Sequence, residues 1–233
     1  MKYGYFDDER REYVIDRVDV PVSWTNYLGV EDLCAVVNHT AGGYVFYKSP
    51  EHGRVTRFRP NGVPMDRPGQ YVYLRDDDTG EYWTISWQPC GGNLADYRCR
   101  HGLSYSVYEC RRSGIHAAQT MFIPRGEAAE LWDVTVENHS DRPRLLSLWS
   151  YVEFSFHQIP IDNQNFQMSL YCTGSDYADG VIDCELFYEH AHHFLAASFD
   201  PDGFDCLRDS FLGPYRTETD PLAVEQGRCF YSF

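Results

Sequence analysis

Lysine is nearly missing from this chain: Lys2 and Lys48 are the only two, and every other cation is an arginine, set against 35 Asp and Glu. The formal charge of −15 excludes nucleic acid and anionic membrane as partners, because both are bound by cationic side chains that displace counterions. The few arginines are better suited to planar, bidentate contacts than lysine would be. Paired cysteine spacing is missing too. Cys34, Cys90, Cys99, Cys110, Cys172, Cys184, Cys206 and Cys229 include no C-x-x-C, which removes the common zinc and redox motifs. The opening Met1-Lys-Tyr-Gly-Tyr-Phe-Asp-Asp8 has no apolar core or small-residue cleavage site of a secretory signal. Reduced thiols and a cytoplasmic location are therefore expected, and the sequons at Asn38 and Asn138 carry no weight. No apolar run approaches the roughly 18 residues of a membrane span. Long amphipathic helical patterns are also lacking; only 30–37 and 221–226 each predict a turn or two of helix.

What the chain has in abundance is aromatic side chains and alternation. Aromatics make up 16% of the residues, a composition suited to half-buried pleated strands and also to ring faces that stack on sugars. Trp132, Val134 and Val136 alternate with Asp133, Thr135 and Glu137, and Leu146, Leu148, Val152, Phe154 and Phe156 share one parity. Both stretches predict strands with one buried face. The segment 105–123 reads as a hairpin turning at Arg112-Ser-Gly114, and another is expected around Arg75-Asp-Asp-Asp-Thr-Gly80. Turn signals recur at the roughly 8–12-residue rhythm of an antiparallel sandwich. The expected fold is all-β, a large antiparallel β-sandwich. The end at Cys229-Phe-Tyr-Ser-Phe233 has no polar tail, so the sandwich is expected to stop before its last strands and leave an open edge.

Few residues single themselves out as chemical groups. Glu189-His-Ala-His-His193 has metal-binding residue types, but it lacks the helical i, i+4 spacing and a third ligand nearby, so solvated or satisfied histidines are expected and no metal. Asp76-Asp-Asp78 lacks calcium-loop spacing and reads as a charged hairpin tip. Asn38-His-Thr-Ala-Gly-Gly43 lacks the lysine and the following pattern of a phosphate loop. No nucleophile motif is present, and no carboxylate pair stands out. The stretch 157–168, His-Gln-Ile-Pro-Ile-Asp-Asn-Gln-Asn-Phe-Gln-Met, is a polar connection after an apolar strand. Such a loop on a rigid sheet is a common seat for binding groups, and the amides of Asn163, Asn165 and Gln167 can donate and accept to sugar hydroxyls. The same loop reads equally as one that satisfies only its own backbone.

Several long words occur in order: Tyr3-Gly-Tyr-Phe-Asp-Asp8, Trp24-Thr-Asn-Tyr-Leu-Gly29, Asn38-His-Thr-Ala-Gly-Gly-Tyr44, Arg54-Val-Thr-Arg-Phe-Arg59, the 83–87 segment before Pro89, Tyr97-Arg-Cys-Arg-His-Gly102 and Gly203-Phe-Asp-Cys-Leu-Arg-Asp-Ser-Phe-Leu-Gly213. Together they resemble cellobiose phosphorylase and its relatives in glycoside hydrolase family 94, end to end over residues 1–233. The resemblance implies an N-terminal β-sandwich (a supersandwich) of a larger homodimeric enzyme whose helical linker, catalytic (α/α)6 barrel and small C-terminal β domain lie elsewhere. It implies phosphorolysis of a β-glucoside such as cellobiose, with inorganic phosphate as co-substrate and no cofactor, giving α-glucose 1-phosphate and a shorter sugar. One general acid in the barrel protonates the leaving oxygen while phosphate attacks the opposite face. No catalytic residue, and no activity by itself, is then expected of this chain. The family's loop word Asn-Phe-Gln-Arg, which reaches the sugar site at the subunit interface, stands here as Asn165-Phe-Gln-Met168. Gln167 and Asn165 are thus expected to touch the sugar. Met168 in the arginine's place removes five guanidinium donors, which points beyond strict cellobiose toward laminaribiose or cellodextrins. The alternatives are a noncatalytic carbohydrate-binding sandwich and an assembly domain.

Overall fold

The computed structural model describes residues 2–58, 67–93, 95–156, 158–165, 172–188 and 190–233. In chain order the first strands are β1 (Tyr5–Asp7), β2 (Glu12–Ile15), β3 (Thr25–Leu28), β4 (Leu33–Asn38), β5 (Gly43–Tyr47), β6 (Tyr71–Asp76) and β7 (Tyr82–Thr84). They are followed by β8 (Ala95–His101), β9 (Tyr105–Arg112), β10 (Ile115–Phe122), β11 (Leu131–Asn138) and β12 (Leu146–Tyr151). The remainder comprises α1 (Ile159–Gln164), β13 (Thr173–Ala178), β14 (Val181–Leu186), β15 (Ala191–Ala196), α2 (Arg208–Leu212) and α3 (Leu222–Gln226). A six-stranded antiparallel sheet runs β1-β2-β8-β9-β10-β11, and three-stranded sheets run β3-β4-β5, β12-β6-β7 and β13-β14-β15.

Alternation builds the main core. Along β10 the odd positions Ile115, Ala117, Gln119 and Met121 are buried, and their partners on β9 include the buried Cys110 and Tyr108. Apart from the polar Gln119, these side chains meet Leu33, Ala35 and Val37 of β4 and Val72, Leu74 and Trp83 of the β12-β6-β7 sheet in one apolar cluster. β6 breaks the alternation because both its faces are covered. Its other face carries Tyr71 and Tyr73 into a smaller cluster with Tyr151, Phe211, Leu212, Ala223 and Val224, so α2 and α3 form an outer layer.

The hairpins expected at 105–123 and around 75–80 are present, the first turning through Ser113 and Gly114 at φ 51° and 80°. Helix is confirmed within 221–226 as α3, which ends on the left-handed Gly227. The expectation of helix at 30–37 is overturned. Leu33, Ala35 and Val37 alternate inward and β4 pairs on both sides, so pleated burial of three apolar residues outweighs the acidic helix-start signal at Glu31 and Asp32. The parity run at 146–156 also stops early: β12 ends at Tyr151, and Phe154 contributes only an isolated bridge to Thr56.

One margin of the sandwich is open. Register places Val136 of β11 opposite buried Ala117 and Leu148 of β12 opposite buried Leu74, on the core side, yet they are 39% and 43% exposed. The faces expected to be buried on β11 and β12 are therefore only partly covered.

Candidate functional site

The polar loop singled out in the sequence leaves β12 and enters α1 through a proline near its start, where a missing N–H costs nothing. The helix is one and a half turns long with no side-chain cap. Asn165 ends it, with φ −146° and its N–H donating to Ile161 O at 2.8 Å. Among the helix residues only Asp162 is buried, while Ile161 is exposed. An apolar face does not hold α1 down; charge does.

Asp162 Oδ1 lies 3.4 Å from Nε of Arg57, whose side chain is completely enclosed. Arg57 Nη1 donates to Glu153 Oε2 at 2.7 Å, and its backbone N–H donates to Glu153 O at 2.8 Å. Glu153 accepts two further bonds, from Arg208 Nε at 2.9 Å and from the Tyr151 hydroxyl. Arg208 Nη2 reaches Glu218 Oε1 at 3.1 Å, and the Tyr73 hydroxyl donates to Glu218 O at 2.7 Å. One buried chain of charge thus joins the segment after β5, the end of β12, α1, α2 and the segment before α3. Burial alone would push the Glu153 carboxyl up, but Arg57 and Arg208 outweigh it and hold the group below the ordinary range. Burial, reinforced by Glu153, keeps the Tyr151 phenol protonated far above its usual value. A second tie runs from Ile159 N–H to Glu51 O at 3.1 Å. Beside it, the Arg54 guanidinium lies 3.4 Å above the Tyr44 ring while its Nε donates to Pro50 O at 2.6 Å.

This arrangement can present an amide-bearing loop at a fixed position. Asn163 and Asn165 are exposed on it. Gln167 and Met168 lie outside the described residues, so the structure brings Asn165 alone of the three expected sugar contacts onto the anchored segment. Sequence reasoning missed the anchors. Their available signal was Glu153 inside the apolar run Tyr151-Val-Glu-Phe-Ser-Phe156 and Arg57 inside the word Arg54-Val-Thr-Arg-Phe-Arg59.

The histidine cluster separates into individual partnerships. His193 is stacked on Phe156 with centroids 4.2 Å apart, and burial pushes its pKa down. His190 bonds Glu185 at 2.7 Å and His192 bonds Asp183 at 2.8 Å; Glu189 lies outside the described residues. Among the described residues no group of three His, Cys, Asp or Glu side chains could hold a metal ion. All eight cysteines are free thiols, and no described helix is long and apolar enough to cross a membrane.

Antiparallel sheets stacked around two apolar clusters, with helices confined to short pieces, define an all-β supersandwich. The chain belongs to the family described as Glycosyl hydrolase 94, supersandwich domain, which it matches over residues 11–232. It is 59% identical to an N,N'-diacetylchitobiose phosphorylase of Vibrio proteolyticus and 56% identical to one of Vibrio furnissii, in each case over 98% of this chain and 29% of the relative. It is 30% identical to a solabiose phosphorylase of Paenibacillus borealis over 97% of this chain and 30% of that protein. The chain therefore spans less than a third of the length of these relatives.

Proposed function

We propose that this chain is the N-terminal supersandwich of a cytoplasmic, homodimeric inverting phosphorylase, and that the enzyme cleaves a β-linked disaccharide with inorganic phosphate. Similarity over almost the whole chain to two proteins named for N,N'-diacetylchitobiose carries this reading and favours that disaccharide over cellobiose. In the reaction, an acid outside these residues gives its proton to the glycosidic oxygen. Phosphate oxygen bonds to the anomeric carbon from the opposite face as that carbon–oxygen bond breaks, leaving a sugar α-1-phosphate and the released sugar. This domain supplies position. The Arg57–Asp162 tie holds α1, and Asn165, with Gln167 beyond it, hydrogen-bonds sugar groups, while Met168 sets an apolar neighbour for the accepting sugar.

The test is phosphorolysis by the full-length protein of a panel containing N,N'-diacetylchitobiose, cellobiose and laminaribiose. The expected product is N-acetylglucosamine 1-phosphate from the first, at higher kcat/KM than any sugar phosphate from the others. Simple hydrolysis, or no sugar phosphate from any member, sinks the reading. Asn165→Ala and Gln167→Ala should each lower kcat/KM several-fold at unchanged melting temperature, since a lost sugar hydrogen bond costs about 0.5–1.5 kcal/mol.

A further inference from the structure

A cleft of about 420 Å³ opens where the segment after β2 meets the connection from β7 to β8. Its wall is made of irregular backbone. Trp87 holds φ at 72°, a genuine outlier for a bulky aromatic, and Asp96 holds φ at 53° where the register of β8 against β9 slips between Ala95 and Arg98. Such conformations persist only when their surroundings over-determine them. Here they do: the Trp87 N–H donates to Thr84 O, its carbonyl accepts from the Thr84 hydroxyl at 2.8 Å and from Gly91 N–H at 2.7 Å, and its indole Nε1 donates to Gly92 O at 2.9 Å. The indole is thereby fixed with its one polar atom satisfied, and Trp87 borders both the cleft and the main apolar cluster.

The polar lining is of mixed character. Arg17 donates Nε to Asp19 at 2.6 Å and is held in that pair. By contrast, the side chains of Asn93 and Arg98 have no polar partner among the described residues, and both border the cleft with Asp16 and Asp96. An amide, a guanidinium and carboxylates around a fixed indole supply donors and acceptors together with an apolar face. That combination matches a sugar ring, whose hydroxyls both donate and accept and whose CH face is apolar. The charges nearly balance, since Asp19 is paired with Arg17 and Asp96 lies 3.7 Å from Arg111, which leaves Asp16 set against Arg98 and favours a neutral ligand over an ion. We propose that this cleft is a binding site for a neutral saccharide of one or two rings, with Trp87 as the stacking platform and Asn93 and Arg98 as the hydroxyl contacts. The proposal is independent of which disaccharide the enzyme cleaves.

Hydrogen–deuterium exchange on the full-length protein localises the effect. N,N'-diacetylchitobiose and cellobiose, each at about 20 mM so as to exceed a millimolar dissociation constant, should slow exchange several-fold in the peptides carrying Trp87 and Arg98. Trp87→Ala would also disturb core packing, so the decisive variant is Asn93→Ala with Arg98→Ala, both at exposed positions. It should keep the wild-type melting temperature and lose the slowing in these peptides, while any sugar effect elsewhere in the protein persists. No slowing by either sugar, or slowing retained in the double variant, overturns the proposal.

Discussion

Glu130, immediately before β11, has a carboxyl tip in an unusual setting. Its Oε2 accepts from Trp132 Nε1 at 2.8 Å, whereas Oε1 is out of reach of solvent with no hydrogen-bond partner. Burial pushes its pKa from 4.5 up to about 8. The folded state therefore favours the protonated acid. That contribution is complete below the unfolded value of 4.5, shrinks as pH rises, and is lost above about 8, where ionisation sets a bare charge in the core margin. Glu130→Gln keeps the acceptor for Trp132 without the charge. Chemical denaturation of both proteins between about pH 5 and 8 should show the wild type losing stability relative to the variant as pH rises. A constant difference across that window contradicts the buried-acid assignment. In the sequence Glu130 shares the parity of Trp132, Val134 and Val136, the face expected to be buried, but periodicity assigns only a face to a side chain and says nothing of where a long stem carries its tip.

At the level of elements, sequence reading succeeded where one signal dominated. In the β9–β10 hairpin β10 alternates strictly and the turn tolerates positive φ, so the hairpin and its junction were legible. At 30–37 two signals competed, acidic residues suited to a helix start against alternating apolar ones, and pairing on both sides decided the outcome. β5 starts at a position that admits no side chain. Gly43 has φ 143°, and a Cβ there would sit 1.9 Å from Val36 O on the paired strand. Gly43→Ala must push β4 and β5 apart, at a cost of at least about 2 kcal/mol. The urea midpoint measures this, and an unchanged midpoint would mean that the two strands do not approach as described. Gly43 of Asn38-His-Thr-Ala-Gly-Gly43 thus serves close backbone approach.

For the molecule as a whole, the distribution of charge matters more than its sum. The chain's 20 cations are too few to neutralise its surface, yet Arg57 is wholly enclosed and ties three separate segments through Glu153 and Asp162. Removing one partner of a buried pair leaves the others uncompensated, so Arg57→Ala should cost about 3–5 kcal/mol. Arg17→Ala breaks a solvent-screened pair whose Asp19 side chain is 64% exposed and should leave the denaturation midpoint nearly unchanged. Equal losses measured by denaturation would refute the difference in role. The tie was illegible beforehand because Arg57 and Glu153 are 96 residues apart, and nothing short of the fold pairs one particular arginine with one particular acid.

β6 has a consequence of its own. Val72 and Leu74 belong to one apolar cluster and Tyr71 and Tyr73, from the same strand, to the other. Neither cluster can dissolve without stripping the wall of its neighbour, so the large sheet and the helical layer on the far face of β6 should melt in a single cooperative step rather than peeling apart in stages.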